Sequence, residues 1–406
     1  MLWYRNVLRS DLTPNPSPKE RGVLKTSFLI FLLLYSWFFS LQAQDSLYTR
    51  QVIKKLTSKE FFGRGYLNDG LDKAAKYIAK ELKKFEAKPL FYTGYFQWFD
   101  FNVNTFPGKV IVKVDGKLLK PGADYILNEE SSALKGIFNL EKKDSVTFIS
   151  RTGNIPLIVS LKRKLTFSVS TVAEPYCGIE LLNKNKFADI KTVDVNIENK
   201  LLVKYINKNI CAYILGKVNN DTMIVLTAHY DHLGGMGKQT YFPGANDNAS
   251  GVSMLLNLVK FYSKNPPKYK IVFVFFAGEE AGLLGSKYFV ENATVDLSKI
   301  KFLVNLDLLG TGDEGITVVN ATEFKPQFEK LKKINEEKHY LILVKPRGKA
   351  QNSDHYWFTE KGVPSFFIYT MGGIKAYHDI YDKAETLPLT KYKEVFKLIS
   401  DFIESI

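Results

Sequence analysis

The chain has 406 residues, of which 45% are hydrophobic and 24% are charged. This is the composition of a globular protein with room for one large domain or two modest ones, and it excludes a disordered or fibrous chain. The formal net charge is +14. The lysines are scattered, however, and no base-contacting motif accompanies them, so the sequence predicts no nucleic-acid partner.

The two cysteines, Cys177 and Cys211, do not form a Cys-X-X-Cys pattern. A thiolate zinc site is therefore excluded. In an oxidising compartment the pair is compatible with one disulfide, and two buried free thiols are the alternative.

An apolar segment near the N-terminus predicts export. Lys25 precedes the run Phe28–Tyr35, and Ala43 precedes a polar stretch. A basic residue, a short apolar core and a small residue are the features of a secretory signal. The run is short for a membrane span, although an uncleaved anchor is the alternative. We assign residues 1–43 to the signal and expect a periplasmic, secreted or surface-associated protein without another stable membrane span. The proline-rich stretch 11–22 is untypical of a signal, so the true start is expected near residues 23–24.

The next part of the chain changes from helical to extended patterns. Residues 44–103 are predicted to be the N-terminal part of the main domain, with a helix around residues 71–82 whose apolar face includes Ala74 and Ile78. Residues 104–200 contain short β patterns separated by turns and are predicted to be a β-rich insertion. The clearest patterns there are Val110–Val114, Ser145–Ile149 and Leu165–Val169.

Residues 201–406 alternate between apolar strands and amphipathic helices. Continuous apolar strands separated by helices indicate an α/β fold with a central, mostly parallel sheet flanked by helices. The predicted strands are Met223–Thr227, Ile271–Phe276, Phe302–Leu306, Ile316–Val319 and Ser365–Tyr369. The first predicted helix begins near Val252. The others are Leu284–Val290, Phe324–Glu337, Asp354–Lys361 and Lys391–Ile406.

Potential metal ligands follow these strands. Molecules and ions bind such sheets at the carboxyl ends of the strands. These side chains are therefore expected to meet at one edge. Two histidines and three carboxylates form the ligand set of a two-metal hydrolytic site, with one adjacent carboxylate free to handle protons. The five ligand candidates are His229, Asp247, Glu280, Asp307 and His378, and the proton carrier is Glu279.

Each candidate also has an ordinary structural interpretation. Asp247 precedes a helix and can serve as its N-cap, whereas a carboxylate can also bridge two cations. Glu279 and Glu280 can be a solvated first helical turn. Asp307 is the exception, because it ends an apolar strand, where an unpaired charge would be costly. His229, taken alone, can be a solvated loop residue.

Neighbouring residues have predicted supporting roles. Asp231 alternates with His229 on an extended segment, so its carboxylate is suited to orient that imidazole. His232 is expected to point the other way and to be a structural or pocket-lining residue. Asp354 either lines the pocket or begins a helix, and His339 and His355 are expected to be surface or structural residues.

Three common motifs are excluded. The stretch 310–315 matches G-x-G-x-x-G, but a strand pattern follows it instead of a helix, and it contains two acidic residues where a pyrophosphate would bind. The chain contains neither a G-x-S-x-G nucleophile elbow nor an H-E-x-x-H zinc motif.

With these residues the chain resembles the M28 family of co-catalytic zinc exopeptidases, which includes bacterial aminopeptidases and, more distantly, glutamate carboxypeptidases and glutaminyl cyclases. The resemblance covers roughly residues 200–406, and the FFGRG segment with the following helix resembles the family's N-terminal part. The loop after the last histidine lacks the family's usual proline, and the insertion lies where some members have a protease-associated domain. The matching segments are TAHYDHLGG (227–235), GANDNASG (244–251), FAGEEAGLLGS (276–286), NLDLLG (305–310) and YHDIYD (377–382).

The resemblance implies a three-layer sandwich with two zinc ions. His229 and Asp307 would hold one ion, Glu280 and His378 the other, and Asp247 would bridge them. Asp231 would orient His229, and Glu279 would be the general base. We add Tyr377 as the predicted oxyanion donor.

The implied activity is removal of N-terminal residues from peptides. Three alternatives stay open at this point. A carboxypeptidase needs a basic cluster to bind the substrate carboxylate, and Arg347 and Lys349 are available. A glutaminyl cyclase would use one zinc, which the presence of both His229 and Asp247 disfavours. A non-catalytic binding module is disfavoured because no ligand is missing. The sequence does not define the oligomeric state.

Overall fold

The computed structural model describes residues 45–183, 187 and 189–406. The predicted signal, residues 1–43, lies outside the described residues. Within the described part of the chain, no helix is both long enough and apolar enough to cross a membrane. The α-helices are α1 Ser46–Leu56, α2 Gly70–Lys84, α3 Gly251–Lys264, α4 Leu284–Glu291, α5 Lys325–Lys338, α6 His355–Glu360 and α7 Tyr392–Ser405.

The strands form two groups. Those of the main sheet and its short accessory pair are β1 Lys88–Pro89, β2 Phe96–Thr105, β12 Lys200–Ile214, β13 Met223–His229, β14 Gly235–Met236, β15 Thr240–Tyr241, β16 Lys270–Phe276, β17 Ile300–Leu306, β18 Ile316–Val319, β19 Val344–Pro346 and β20 Ser365–Thr370. Those of the β-rich region are β3 Val110–Val114, β4 Lys117–Leu118, β5 Tyr125–Leu127, β6 Leu134–Asn139, β7 Glu141–Lys142, β8 Thr147–Ser150, β9 Leu157–Lys162, β10 Cys177–Leu182 and β11 Thr192–Ile197.

The main sheet has the strand order β1-β12-β16-β13-β17-β20-β18-β19, with β2 paired to β12. Its centre is parallel, because β16, β13, β17 and β20 pair in one direction. Strands β12 and β18 join it antiparallel. The carboxyl ends of the four central strands therefore meet at one edge, as the sequence predicts.

Side chains alternate between the two faces of the main sheet. On β13, Ile224 and Leu226 pack into the core that contains α1, α2, α3, α5 and α7. Met223 and Val225 pack on the other face, against Phe289 of α4 and Phe358 of α6. Because helices cover both faces, the central strands are largely apolar, and the hydroxyl of the buried Thr227 donates to the side chain of Asn305. The predicted α/β sandwich is confirmed.

The predicted strands and helices of residues 201–406 agree with the observed elements to within about one turn. One prediction in the β-rich region is wrong. Leu165–Val169 is irregular, although Leu165 and Phe167 are buried. Its alternation reflects side chains that enter a core from an irregular segment, and none of the strands in the described part of the chain pairs with it.

The β-rich region has two sheets and a core of its own. One sheet has the order β5-β10-β9-β8-β7 and the other β4-β3-β11-β6. The antiparallel pair of β2 and β12 leads into and out of this region. The region's core also includes Leu233, Met236 and Phe242 of the main domain. The boundaries 104 and 200 for an insertion stay a prediction. Cys177 and Cys211 are both buried and free.

Candidate metal centre

The five predicted ligands come together at the carboxyl edge of the parallel strands. His229 is the last residue of β13, and Asp307 directly follows β17. Glu280 comes just after β16, in a short turn before α4. Asp247 lies in the helical turn Ala245–Ser250 that precedes α3, and His378 lies in the loop after β20.

Asp247 is at the centre of this arrangement. Its Oδ1 lies 3.3 Å from Nε2 of His229, and its Oδ2 lies 3.1 Å from Nε2 of His378. Asp307 Oδ1 is 3.4 Å from the same nitrogen of His229. Glu280 Oε2 is 3.2 Å from Nε2 of His378. The donors thus form two groups, one on each oxygen of Asp247.

The chemistry of these donors fits metal ions. Oδ1 of Asp307 is buried and has no hydrogen-bond partner among the described residues. Donor atoms of His229, Glu279 and Asp307 lie within 4.8 Å of one another, and so do those of His229, Asp247 and Glu280. Imidazole nitrogens and carboxylate oxygens without sulfur suit zinc. A buried carboxylate oxygen without a partner is costly unless a cation satisfies it.

The electrostatics of these side chains also favour bound positive charge. Burial alone would lower the pKa of His229, but the carboxylates of Glu279 and Asp307 raise it well above its usual value. Glu280 in the same way overcomes burial and raises the pKa of His378 to about 11. Burial opposes the charge of Glu280, yet His378 lowers the pKa of that carboxyl to about 2. The carboxylates of this cluster therefore favour positive charge, which bound metal ions would supply.

Asp231 supports both strand ends. Its carboxylate accepts the backbone N–H groups of Glu279 and Glu280, at 3.3 and 3.4 Å. Nδ1 of His229 lies 3.2 Å from the backbone oxygen of Asp231 and 3.6 Å from its carboxylate. The role predicted for the side chain is thus shared with the main chain. Asp231 orients the imidazole through its carbonyl and fixes the Glu279-Glu280 turn through its carboxylate.

The orientation predicted for His232 is wrong. Its side chain is fully buried and faces the site, with Nδ1 2.6 Å from Oε1 of Glu280. It also lies 3.8 Å from Oδ1 of Asp247. Strand β13 ends at His229, so strict alternation does not continue to His232. The imidazole of His232 thus contacts Oε1 of Glu280, while Oε2 of Glu280 faces His378.

Glu279 lies beside the ligand set without joining it closely. Its Oε2 is 4.0 Å from Nε2 of His229. Burial raises the pKa of Glu279 well above its usual value, and the neighbouring Glu280 and Asp354 add to this effect. Asp354 is fully buried, and burial raises its pKa to about 7. It affects the site by its charge and forms no exposed pocket wall. His355 is buried as well.

Tyr377 stacks on the imidazole of His378. The two ring centroids are 4.0 Å apart and the rings are nearly parallel, at 15°. The tyrosine is 42% exposed, so it forms the solvent-facing side of this ligand. Its phenol as oxyanion donor stays a prediction.

Two residues that the sequence analysis missed hold the backbone around Asp247. Arg64 is fully buried and uses all five N–H groups on carbonyl oxygens. These include the carbonyls of Gly244 and Asp247, at 2.8 and 3.1 Å. Asp382 accepts the backbone N–H groups of Asn246 and Asp247, at 2.8 and 3.0 Å. The main chain of the central ligand is thus fixed from both sides.

A close backbone contact explains the second glycine of the FFGRG segment. A Cβ atom at Gly65 would lie 2.3 Å from the Cα of Gly234, so only glycine allows this approach. The close contact brings Arg64 beneath the loop of Asp247.

We expect Arg64→Met to lower the free energy of unfolding by about 3–5 kcal/mol, because buried carbonyl groups would lose their donors. Arg50→Met is the matched control, since Arg50 is exposed and donates to the carbonyls of Leu387 and Pro388. Its expected effect is below about 1 kcal/mol. Urea denaturation of both variants in the presence of a chelator measures the difference. Equal losses would show that Arg64 has no special role.

Comparison with known proteins relates a large segment of the chain to a family. Residues 209–403 match the model of peptidase family M28, and this segment of the chain belongs to that family. Aminopeptidase YwaD of Bacillus subtilis (strain 168) is 27% identical over 249 residues, which are 59% of this chain and 48% of that protein. A probable zinc metalloprotease of Pyrenophora teres f. teres is 33% identical over 111 residues, 26% of this chain and 23% of its own. The chain thus spans about half or less of the length of these curated relatives.

Solved structures share the fold. BSAP, a zinc aminopeptidase from Bacillus subtilis, has a TM-score of 0.66 at 17% identity, over 90% of this chain and 96% of its own. The peptidase M28 precursor from Shewanella amazonensis SB2B has a TM-score of 0.66 at 15% identity, over 89% and 93% of the two chains. The likeness extends well beyond residues 201–406 and agrees with the architecture described above.

Proposed function

We propose that the protein is a two-zinc exopeptidase, and that it is an aminopeptidase. The observation that carries this proposal is the position of Asp247, whose two oxygens face the imidazoles of His229 and His378. One carboxylate between two donor groups is the arrangement that a pair of adjacent metal ions requires. His229 and Asp307 would hold one ion, and Glu280 and His378 the other.

Bound zinc would supply a polarised carbonyl and a water of lowered pKa. The protein's own residues would carry the proton. Glu279 takes it from the attacking water and delivers it to the nitrogen of the leaving amine. Its raised pKa suits a group that must accept and then release a proton. Tyr377, on the exposed side of His378, would donate a hydrogen bond to the oxyanion.

The choice of an aminopeptidase rests on the names of the relatives. For a carboxypeptidase, the two basic residues considered above already have partners. Lys349 forms an ion pair with Glu360, and Arg347 donates to the phenol of Tyr369, at 3.2 Å. A glutaminyl cyclase would use one zinc, so half of the ligand set around Asp247 would have no metal to bind.

We also propose that the protein is exported, in the periplasm, at the cell surface or in the medium. This proposal rests on residues 1–43 alone. Sequencing the N-terminus of the mature protein together with cell fractionation tests it, and an uncleaved chain in the cytoplasm would contradict it.

A panel of peptides tests the activity. We expect free-amine and C-amidated peptides to be cleaved from their N-termini, and N-acetylated peptides to resist. A chelator should abolish turnover, and added zinc should restore it. Cleavage that requires a free carboxylate would replace the aminopeptidase with a carboxypeptidase. The absence of metal-dependent turnover on every peptide would indicate a binding module.

A further inference from the structure

The loop that carries His378 is held by the β-rich region. The backbone N–H of Phe167 donates to the carbonyl of His378, at 2.9 Å. Nζ of Lys164 donates to the carbonyl of Lys375, at 3.0 Å, and lies 3.7 Å from the carboxylate of Asp379. These contacts come from both sides of His378 in the sequence, so they fix the loop on either side of the ligand.

The same segment also contacts the chain that leads to Asp247. The ring of Phe167 stacks on Phe242, with centroids 4.6 Å apart and the rings at 6°. Both rings are buried. Phe242 precedes Gly244, whose carbonyl is bound by Arg64. One segment of the β-rich region therefore supports both loops that provide the ligands His378 and Asp247.

The two halves of the metal centre differ in what holds them. His229 ends a buried central strand, and Asp307 directly follows another, so the main sheet fixes this half. His378 lies in an irregular loop and has a φ of 53°, a left-handed conformation that non-glycine residues rarely adopt. Such a conformation persists only where surrounding contacts determine it. At His378, Phe167 and Lys164 supply contacts of this kind.

We infer that the segment Lys164–Phe167 positions the second metal site, the one that contains His378 and Glu280. The β-rich region is then part of the metal centre and more than an attached module. This inference rests on the proposed two-zinc function and adds a structural task for the region. Lys164 and Phe167 act as positioning residues, because they reach the metal only through the loop.

The test uses Lys164→Met in the full mature chain. Lys162→Met is the matched control, because Lys162 is as exposed as Lys164 but forms its ion pair with Glu180 inside the β-rich region. The metal-free proteins are titrated with zinc in competition with a chelator of known affinity. Thermal unfolding with excess chelator checks that both variants are folded.

We expect the wild-type protein to bind two zinc ions. In Lys164→Met the ion of the second site, the one with His378 and Glu280, should bind roughly three- to tenfold more weakly. This is near the lower end for outer contacts of metal ligands. Binding of the first ion should change by less than about twofold, as for an ordinary surface substitution. Lys162→Met should leave both affinities unchanged. Lys164→Arg, which keeps the charge and the donor, should restore the affinity for the second ion.

Two results would overturn the inference. Unchanged affinity for the second ion in Lys164→Met would show that the segment does not position the site. Equal weakening of both ions would indicate a general structural effect. Failure of the two-zinc proposal gives a different result, because the wild-type protein would then bind one ion or none. Activity is not needed to separate these outcomes.

Discussion

Glu279→Gln is expected to lower kcat by about 10²–10⁴-fold, the usual contribution of a general base, while both zinc ions stay bound. Glutamine has the size of glutamate but cannot accept the proton of the attacking water at neutral pH. Since the loss falls on proton transfer, kcat and kcat/KM should fall together.

The structure explains why metal binding should survive this change. The carboxylate of Glu279 lies 4.0 Å from the imidazole of His229, whereas the carboxylates of the proposed ligands lie 3.1–3.4 Å from an imidazole nitrogen. The backbone of Glu279 is held by Asp231, which the substitution leaves in place.

Glu280→Gln is the matched control, because it makes the same chemical change at the next residue. Glu280 contacts both His378 and His232, so its substitution should weaken the binding of one zinc ion as well as activity. Zinc content measured after desalting, together with steady-state kinetics, distinguishes the two variants. Activity retained in Glu279→Gln would refute the assignment of the base.

The position of the candidate ligands follows from the sequence because parallel strands impose a simple rule. The central strands are largely apolar, and a titratable residue stands at the carboxyl end of two of them, as at His229 and Asp307. Carboxyl ends of parallel strands meet at one edge. The gathering of these residues at one edge therefore follows from the parallel strands, whereas their roles as metal ligands stay a prediction.

The residues that hold the ligands are not predictable in this way. Four of the five carbonyls that Arg64 contacts lie 166 to 183 positions later in the chain, and nothing in its local pattern differs from that of a surface arginine. Asp382 is one of three acidic residues in the loop between β20 and α7. The orientation of His232 does not follow from the alternation of β13, because the strand ends before it. These contacts depend on how loops fold over the sheet, which periodicity does not encode.

The β-rich region illustrates the same limit. Its strands follow from alternating patterns, but its irregular segment Leu165–Val169 does not. The contact of Phe167 with His378 joins parts of the chain that are distant in sequence. Only the folded structure brings them together.

Asp247→Ala is expected to abolish activity and to remove both zinc ions, with a loss of affinity greater than the roughly 10–100-fold typical of outer contacts. Asp247 is the residue that contacts the donors of both halves, through Oδ1 to His229 and Oδ2 to His378. Without it each half retains two protein ligands, which is fewer than the three or four of ordinary zinc sites.

The fold should survive this substitution, because the loop is held through the main chain of Asp247. Arg64 binds its carbonyl, and Asp382 binds its N–H. With excess chelator, the free energy of unfolding of Asp247→Ala should therefore lie within about 1 kcal/mol of the wild-type value. Loss of metal without loss of stability separates a ligand from a structural residue.

Asp247→Asn is the matched control for size. It keeps the shape of the side chain but lacks the charge that two cations share, so we expect it to lose at least one zinc ion as well. Zinc content and chelator competition are measured for both variants. Wild-type affinity for two zinc ions in Asp247→Ala would show that the ions bind elsewhere. Loss of a single ion would show that Asp247 belongs to one half of the centre and does not bridge the two ions.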